Sequence, residues 1–431
     1  MVSEEVIRSL YRQFEAHPAI STDSRRIVPG SIFFALRGET FDGNRFAAEA
    51  LAKGAARAVV DDPAVVPAEG ALADRFVQVG SVLEALQRLA AHHRRTLAFP
   101  ILAITGSNGK TTTKELLAAV LSRKFRVSVT GGNLNNHIGV PLTLLKMERQ
   151  MEFGIVEMGA NAPGEIAALC EIAQPDYGLI TNIGRAHLEG FGGIEGVARA
   201  KGELYDWLAA HGGVAFLCED DPVLVKMAAA RPELRISGYR AAQGEVENHL
   251  EGDYNRNNIA AAVAVGNRFG VAVAEIAAAV AGYHPDNNRS QRLETLRNTL
   301  ILDCYNANPS SMAAALDHFA AAAAPAGYAK AVILGDMLEL GSWAVEEHEA
   351  VLRKLAAMEL CEVFLTGPHF SAAAALFSGE SSAPRFGRGV LHAFPDREAL
   401  ILYLAENPLA GRLLLLKGSR SIGLEKIVPA L

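Results

Sequence analysis

The segment ILAITGSNGKTTTK, residues 101–114, joins an apolar run, a glycine turn and the start of a helical pattern. Residues 101–104 predict a buried strand, and apolar side chains recur at helical spacing over residues 116–121. Strand, glycine turn, Lys-Thr and helix form the context that a phosphate-binding loop requires. A turn with a chance Lys-Thr pair is the alternative, but the flanking strand and helix favour a site for a nucleoside triphosphate.

Each residue of this loop has an expected task. Gly106 and Gly109 let backbone N–H groups face phosphate oxygens without an intervening Cβ, and the helix N-terminus adds partial positive charge. Lys110 is expected to reach the terminal phosphates, and the Thr111 hydroxyl suits a Mg²⁺ shell. Ile104 stands where the usual pattern has a further glycine, so the loop is a shortened form. The expected nucleotide contacts of the loop are Gly106, Ser107, Asn108, Gly109, Lys110, Thr111 and Thr112.

The composition limits the class of protein. The chain has 431 residues, of which 50% are hydrophobic and 21% charged, as in globular proteins of several domains. The net charge is −7 without a long basic run, which argues against nucleic acid as the main partner. Four widely spaced cysteines without a C-x-x-C motif indicate free thiols in a reducing compartment. With no signal peptide and no long apolar stretch, we expect a cytoplasmic protein without membrane insertion.

Three compositional blocks predict three domains. In the middle block, strand and helix patterns alternate from residue 101 to about residue 283, which predicts a mainly parallel sheet covered by helices. The polar stretch 284–290 separates this block from a third α/β block. The expected fold class is therefore α/β. The predicted domain limits are 1–82, 83–295 and 296–431.

Short apolar runs bounded by polar or glycine residues predict the individual strands. The predicted strands include 31–36, 57–60, 154–157, 177–182, 299–303, 331–334, 362–366 and 412–417. The predicted helices include 83–98, 164–172, 198–208, 313–324 and 372–375. The first of these helices ends in the basic run 92–95, which we expect to form an exposed linker between domains.

Polar side chains follow several predicted strands, at the sheet edge where open α/β folds bind ligands. Glu157 ends one strand and is expected to complete a Mg²⁺ shell with Thr111. His187 follows another strand and is a candidate cation ligand or substrate contact. The plainer alternatives are a surface acid for Glu157, a structural histidine for His187, a simple turn for the amide-rich segment 133–137, and a solvent-facing side chain for Lys201.

Taken in order, these segments resemble the ATP-dependent Mur ligases of peptidoglycan synthesis. The matching stretches are TGSNGKTTTKE, NLNNHIGVPLTLL, EMGANAPGEI, TNIGRAHLEGFG, AKGELYD, YNANP and LGDMLELG. The last two favour the members that join D-alanyl-D-alanine to UDP-N-acetylmuramoyl-tripeptide. The resemblance covers nearly the whole chain and implies a UDP-sugar-binding domain, a central P-loop ATPase-like domain and a Rossmann-like C-terminal domain that binds D-alanyl-D-alanine.

The resemblance also implies roles for single residues. Lys110 and Thr111 match contacts to phosphate and Mg²⁺, and Glu157 and His187 match metal ligands. Lys201 matches a lysine that the family carries as a carbamate, an anionic ligand for a second Mg²⁺. ATP and Mg²⁺ are thus the implied cofactors.

Further implied contacts concern the rest of ATP and the two other substrates. Asn258 matches an adenine contact, and Asp303 matches the acid that holds the ribose. Arg289 fits the spacing of an arginine that reaches the γ-phosphate, with Arg292 as the other candidate. The implied substrate contacts are Ser24, Arg25, Asn135, Asn136, Asn306, Asn308, Asp336, Glu339 and Lys417.

The implied reaction is ADP-forming amide synthesis through an acyl phosphate, in a protein expected to be a monomer. His348 and Asp336 are candidates to orient the attacking amine. Tyr254 and Asn255 depart from the family's usual His-Asn pair, and the chain between Asp221 and Gly252 is shorter than the family pattern. The competing interpretations are another Mur-type or folate-polyglutamate-type amide ligase, a P-loop ATPase switch, and a catalytically weak homologue kept for scaffolding.

Overall fold

The computed structural model describes residues 2–285, 288–379 and 389–431. Three mainly parallel sheets follow one another along the chain, with helices packed against them. The α/β class that the alternating pattern predicted is therefore confirmed. Two residues of the predicted polar break, Asp286 and Asn287, lie outside the described residues.

The first sheet is small and wholly parallel, in the order β1-β2-β3-β4. The elements of this unit are α1 (Glu4–Ala16), β1 (Ile20–Ser21), β2 (Ile32–Phe34), α2 (Ala47–Ala52), β3 (Arg57–Val60), β4 (Phe76–Gln78) and α3 (Val82–Arg94). Asn44 fixes the carboxyl end of β3, because its side-chain oxygen accepts from the backbone N–H of Asp61 and its amide donates to the Asp61 carboxylate. The buried side-chain amide of Asn44 therefore orders this edge of the first sheet.

Two of the four residues in the basic run at the end of α3 are buried and Arg95 is exposed, so the prediction of an exposed linker at 92–95 is wrong for His93 and Arg94. His93 and Arg94 are only 6% and 8% exposed. Arg94 donates to the Asp176 carboxylate at 2.8 Å, and the His93 ring bonds the Met147 carbonyl at 2.8 Å. Partners far away in sequence satisfy these groups, and a local pattern cannot show them. Helix α3 packs against helices of the first unit and also against helices of the unit that follows. It therefore does not mark a boundary between them, and the predicted domain limits stay a prediction.

The central sheet contains six parallel strands in the order β10-β9-β8-β5-β7-β6. Its elements are β5 (Ile101–Thr105), α4 (Lys110–Leu121), β6 (Val127–Val129), α5 (Gly139–Leu145), β7 (Phe153–Glu157), α6 (Glu165–Ala173), β8 (Tyr177–Ile180), α7 (Leu188–Phe191), α8 (Ile194–His211), β9 (Val214–Cys218), α9 (Pro222–Ala229), β10 (Arg235–Tyr239), α10 (Asn255–Arg268) and α11 (Val273–Ala281). Strand β5 lies between β7 and β8 and is fully buried, as a continuous apolar run requires. The loops that follow these three strands therefore meet at one edge.

The third sheet has the order β11-β12-β16-β13-β14-β15, with only β11 antiparallel to its neighbour. Its elements are β11 (Gln291–Glu294), β12 (Asn298–Leu302), α12 (Pro309–Ala321), β13 (Ala329–Gly335), α13 (Ala344–Ala356), β14 (Glu362–Thr366), α14 (Pro368–Gly379), β15 (Val390–Phe394), α15 (Arg397–Glu406) and β16 (Arg412–Lys417). Leu188 of the central unit packs into the core of this third unit. The two units therefore share apolar contacts as well as polar ones.

Most predicted elements agree with the structure to within a few residues. Helix α12 begins earlier than the predicted 313–324 because Asn308 caps it and Pro309 occupies its first position, where a missing N–H costs nothing. Among the described residues, no helix combines the length and the apolar character that crossing a membrane requires.

Candidate active site

A cavity of about 770 Å³ opens where the carboxyl edge of the central sheet faces the third sheet. Its walls come from both units, so residues from distant parts of the chain converge there. The predicted site residues that line it are Ser107, Asn108, Gly109, Lys110, Thr111, Thr112, Asn135, Asn136, Glu157, His187, Asn258, Arg289, Asp303, Asn306, Asn308, Glu339 and Lys417.

Residues that directly follow β8 form hydrogen bonds with the loop between β5 and α4. The Thr181 hydroxyl donates to the Asn108 carbonyl at 2.6 Å, and the Ser107 N–H donates to the Asn182 carbonyl at 3.0 Å. Gly106 packs against Thr181 so closely that a Cβ would collide with the threonine side chain. The loop is therefore fixed before any ligand arrives, which lowers the entropic cost of binding.

Lys110 lies at the start of α4 with its ammonium folded onto the loop. Its Nζ donates to the carbonyls of Gly106 at 2.7 Å and Ser107 at 3.3 Å. Burial lowers the pKa of Lys110 to about 8, while the nearby Glu157 carboxylate opposes this shift and Arg289 adds to it. An anion bound by the loop would favour the charged form of this lysine, so the arrangement suits phosphate oxygens.

Glu157 is 2% exposed at the end of β7 and faces the loop, as the sequence predicted. The Thr111 hydroxyl lies 3.1 Å and 3.3 Å from its two carboxylate oxygens, and the Asn135 amide donates to it at 2.8 Å. The Lys114 ammonium, also buried, lies 3.5 Å from the same carboxylate. A buried carboxylate beside a hydroxyl offers the hard oxygen atoms that Mg²⁺ prefers.

These two oxygen donors do not make a complete metal site by themselves. In the described part of the chain, no three His, Cys, Asp or Glu side chains cluster closely enough to hold a metal ion. Protein sites for Mg²⁺ commonly use one or two carboxylates and complete the shell with substrate phosphates and water. Thr111 and Glu157 therefore fit a cation that is shared with a bound nucleotide.

Lys201 is 2% exposed on α8, which excludes the alternative of a solvent-facing side chain. Its Nζ donates to the Ala160 carbonyl at 3.3 Å and lies 5.2 Å from the centre of the Phe191 ring. Burial lowers the pKa of Lys201 to about 7, with the positive charge of Lys110 as the next cause. Lys201 does not line the cavity itself, but its partner Ala160 does. Among the described residues no carboxylate lies within ion-pair distance of this buried amine, so it suits chemical modification better than a structural ion pair.

His187 has a left-handed backbone (φ +52°) and turns its ring toward the third unit. Its Nδ1 contacts the carboxylate of Glu339, which also has a positive φ of +61°. This contact lowers the pKa of Glu339. The structure thus joins two predicted site residues from different units, although it does not place His187 against Glu157.

The predicted adenine and ribose contacts already have partners. Asn258 is 5% exposed on α10, where its carbonyl oxygen accepts from the Thr113 hydroxyl at 3.1 Å and its amide donates to Asn255 at 2.8 Å. The Asp303 carboxylate accepts from Lys417 Nζ at 2.6 Å. Both side chains line the cavity, so each is held in a fixed orientation there.

Of the two arginines proposed for the γ-phosphate, only Arg289 lines the cavity. Its guanidinium carbon lies 3.7 Å from the centre of the Tyr305 ring. Arg292 instead pairs with Glu251 at 3.4 Å and Glu294 at 3.3 Å. In the part of the chain that the structure describes, Arg289 has no carboxylate partner, whereas Arg292 is paired outside the cavity.

Several predicted residues lie outside the cavity. Ser24 and Arg25 belong to the first unit, where Arg25 pairs with Asp23. Asp336 is fully buried and accepts the backbone N–H of Phe370 at 2.8 Å, so it fixes the start of α14. His348 is equally buried. Neither Asp336 nor His348 is among the residues that line the cavity, so their role in orienting the attacking amine stays a prediction.

The contacts between the central and third units include residues that sequence reasoning missed. Asn308 donates to Asn108 of the phosphate loop at 2.7 Å, and the Ser310 hydroxyl accepts from the Arg185 N–H at 2.8 Å. The Arg185 guanidinium also pairs with the nearly buried Glu347. Arg185 and Ser310 lie inside two of the motif stretches, but no local signal distinguishes an interdomain contact from a substrate contact.

Replacement of Gly109 by alanine should abolish tight nucleotide binding. Gly109 has a φ of +79°, and a Cβ there would lie 2.5 Å from the Asn258 side-chain oxygen. We expect at least about a tenfold loss of affinity, since both backbone strain and this collision deform the loop. Calorimetric titration with a non-hydrolysable ATP analogue measures this loss of affinity.

Gly327→Ala is the matched control, because Gly327 has a φ of +82° and no heavy atom within 4 Å of its Cβ position. Alanine at residue 327 would carry the same backbone strain as alanine at residue 109 but would meet no neighbouring atom. Gly327 also lies outside the phosphate loop. Equal affinities of Gly109→Ala and the unmodified chain would contradict the proposed role of this glycine.

Three family models match the chain in sequence order. They are described as the Mur ligase family catalytic domain at residues 18–94, the Mur ligase middle domain at residues 104–243, and the Mur ligase glutamate ligase domain at residues 288–420. Together they contain most of the residues that line the cavity.

Relatives and solved structures agree with these models. The chain is 33% identical to the UDP-N-acetylmuramoyl-tripeptide–D-alanyl-D-alanine ligase of Bacillus subtilis (strain 168), over 99% of this chain and 96% of the relative. It is 36% identical to the ligase of the same name from Treponema pallidum, over 96% and 93% of the two chains.

Among solved structures, MurF from Acinetobacter baumannii superposes with a TM-score of 0.82 at 31% identity, covering 95% of this chain and 92% of that one. MurF ligase from Thermotoga maritima in complex with ADP gives a TM-score of 0.79 at 25% identity, covering 99% and 98%. With near-complete coverage in sequence and in fold, this chain belongs to the Mur ligase family.

Proposed function

We propose that this chain is an ADP-forming ligase that joins D-alanyl-D-alanine to UDP-N-acetylmuramoyl-tripeptide, in peptidoglycan precursor synthesis. One observation carries the proposal: the phosphate loop and the third unit share one cavity, and Asn108 of the loop bonds Asn308 across it. A triphosphate on the loop would therefore meet a second substrate held by the third unit. The names of the relatives from B. subtilis and T. pallidum support the choice of substrates.

The reaction needs activation, because a carboxylate has no good leaving group. In the first step an oxygen of the peptide carboxylate attacks the γ-phosphorus of ATP, an acyl phosphate forms and ADP leaves. In the second step the amine of D-alanyl-D-alanine attacks the acyl carbon, the amide bond forms, inorganic phosphate leaves and the amine loses a proton. Lys110, Arg289 and the loop N–H groups are placed to offset the negative charge that accumulates in both steps.

Mg²⁺ is the proposed cofactor, with Thr111 and Glu157 as the residues that would hold it. When bound, the ion would neutralise phosphate oxygens and so favour attack on phosphorus. His187 and Lys201 are proposed for a second ion, with Lys201 as a carbamate. Burial of Lys201 without a carboxylate partner supports that proposal, since the carbamate would supply the missing anion.

Lys201→Ala should lower ligase activity by about 10²-fold, and most strongly at limiting Mg²⁺ and CO₂, because the carbamate would be lost. Nuclear magnetic resonance of protein incubated with ¹³CO₂ should show one carbamate signal that the variant lacks. Lys226→Ala on α9 is the control, since Lys226 is exposed and is not among the residues that line the cavity. Full activity of Lys201→Ala under these limiting conditions would refute the role.

Other parts of the proposal follow the family resemblance. Asn258 and Asp303 are proposed to contact the adenine and the ribose of ATP, and the first unit is proposed to bind the UDP-sugar through Ser24 and Arg25. The other proposed substrate contacts are Asn135, Asn136, Asn306, Asn308, Asp336, Glu339 and Lys417. We infer a cytoplasmic monomer; the four cysteines are all free thiols, which fits a reducing compartment.

The decisive experiment measures phosphate release with UDP-muramoyl-tripeptide, with and without D-alanyl-D-alanine, and the mass of the product. Release that depends on the dipeptide, with a product heavier by one dipeptide less water, supports the proposal. Turnover with glutamate or diaminopimelate instead would indicate another amide ligase. ATP hydrolysis without any peptide substrate would indicate an ATPase switch.

A further inference from the structure

Arg420 is a cationic residue of the cavity to which neither the motif analysis nor the family comparison gave a role. It follows β16 and lines the cavity on the side of the third unit. Lys417 lines the same side, but its ammonium is already paired with Asp303 at 2.6 Å. Within the described ranges, the Arg420 guanidinium has no such carboxylate partner, and its side chain is exposed to the cavity.

Tyr305 holds this arginine in place without using its hydrogen-bond donors. The Arg420 guanidinium carbon lies 4.6 Å from the centre of the Tyr305 ring, and that of Arg289 lies 3.7 Å from the same centre. Stacking on an aromatic ring orients the planar guanidinium and leaves its N–H groups free. The Arg289 Nε is buried without a hydrogen-bond partner in the described structure. Two guanidinium groups without carboxylate partners at one ring form a site for anions.

The two arginines face different parts of the reaction. Arg289 lines the cavity together with Lys110 of the phosphate loop, and its positive charge is one cause of the lowered pKa of that lysine. Arg420 comes from the third unit, beside Asn306 and Lys417. Under the proposed function, the incoming dipeptide carries one negative group, its terminal carboxylate. A guanidinium matches a carboxylate with two parallel hydrogen bonds.

We propose that Arg420 binds the terminal carboxylate of the incoming dipeptide and is a specificity residue of this enzyme, with Tyr305 as its positioning residue. The inference rests on the proposed function and deepens it. It predicts that the enzyme prefers a dipeptide acid over its amide, since only the acid forms the charged pair.

The test is Arg420→Gln with D-alanyl-D-alanine and with D-alanyl-D-alaninamide as the acceptor. The KM for the dipeptide should rise about 10- to 100-fold, the effect of a lost charged hydrogen-bond pair, while the KM for ATP stays unchanged. The unmodified enzyme should prefer the acid over the amide by a similar factor, and the variant should show no preference. Arg420→Lys should recover part of the preference, because it keeps the charge but not the planar pair.

Arg353→Gln on α13 is the matched control, since Arg353 is an exposed arginine of the same unit that pairs with Glu349 on its own helix. Thermal unfolding of each variant verifies folding. A raised KM for ATP with an unchanged KM for the dipeptide would overturn the inference and assign Arg420 to phosphate. An acid preference that survives in Arg420→Gln would overturn it as well. Absence of product with the unmodified enzyme would refute the proposed function itself.

Discussion

Lys110→Met should lower kcat for ligation by about 10²- to 10³-fold, the usual cost of losing one preorganised charge donor. The lysine ammonium lies at the loop where the γ-phosphate is proposed to bind, and among the described residues it donates to the Gly106 and Ser107 carbonyls alone. Methionine keeps the length of the side chain and removes the charge. Because burial disfavours the charged form of this lysine and so lowers its pKa, we expect that removing the charge does not lower the free energy of unfolding.

Release of ADP and of phosphate, followed in the same assay, measures this effect, and calorimetric unfolding measures stability. Lys226→Met provides the control, because it removes an exposed lysine of α9 that lies outside the cavity. If Lys110→Met lost both activity and folded structure, the loss of activity would reflect damage to the loop and not the loss of the charge. Retention of more than a tenth of the activity would contradict the role of Lys110.

Glu157→Gln should lower kcat by about 10²-fold and raise the Mg²⁺ concentration needed for half-maximal rate. Glutamine keeps the size of the side chain and an oxygen for the Thr111 hydroxyl and the Asn135 amide, but it removes the negative charge. It also leaves the buried Lys114 ammonium without its partner at 3.5 Å. An unpaired buried charge costs about 3 kcal/mol of folding free energy.

A double variant separates the two effects. Glu157→Gln combined with Lys114→Met removes both charges, so most of the lost stability should return. The activity should not return, since the proposed ligand of Mg²⁺ is still absent. Denaturant unfolding and Mg²⁺ titration of the rate measure the two quantities. Recovery of activity along with stability would show that Glu157 acts only as a counter-ion for Lys114.

The phosphate loop could be predicted from sequence because its chemistry is local. Strand β5, the glycine turn and α4 are consecutive, and periodicity defines each of them. Glu157 was placed correctly beside the loop because parallel strands end at the same edge of a sheet. Nearly all the other predicted residues near strand ends also line the cavity for that reason.

Burial and pairing could not be predicted in the same way. The basic run 92–95 indicated an exposed linker, yet Arg94 is buried by Asp176 and two carbonyls from another helix. Asp336 lies in a motif and is a predicted substrate contact, and the sequence did not show that its carboxylate accepts from the backbone N–H groups of His369 and Phe370 at the start of α14. In both cases the partner lies far away in sequence, and a charged side chain is exposed or buried according to that partner.

The sequence by itself determined the α/β class, the phosphate loop and the family, because periodicity and consecutive motifs depend on neighbouring residues. Only the tertiary structure decided which charges stay free: Lys417 is neutralised by Asp303, whereas Arg420 stacks on Tyr305 with its donors open to the cavity. It also decided that the loop meets the third unit through Asn108 and Asn308. The physical reason is that electrostatic interactions act through space, so a side chain's role depends on what the fold brings within a few ångströms of it.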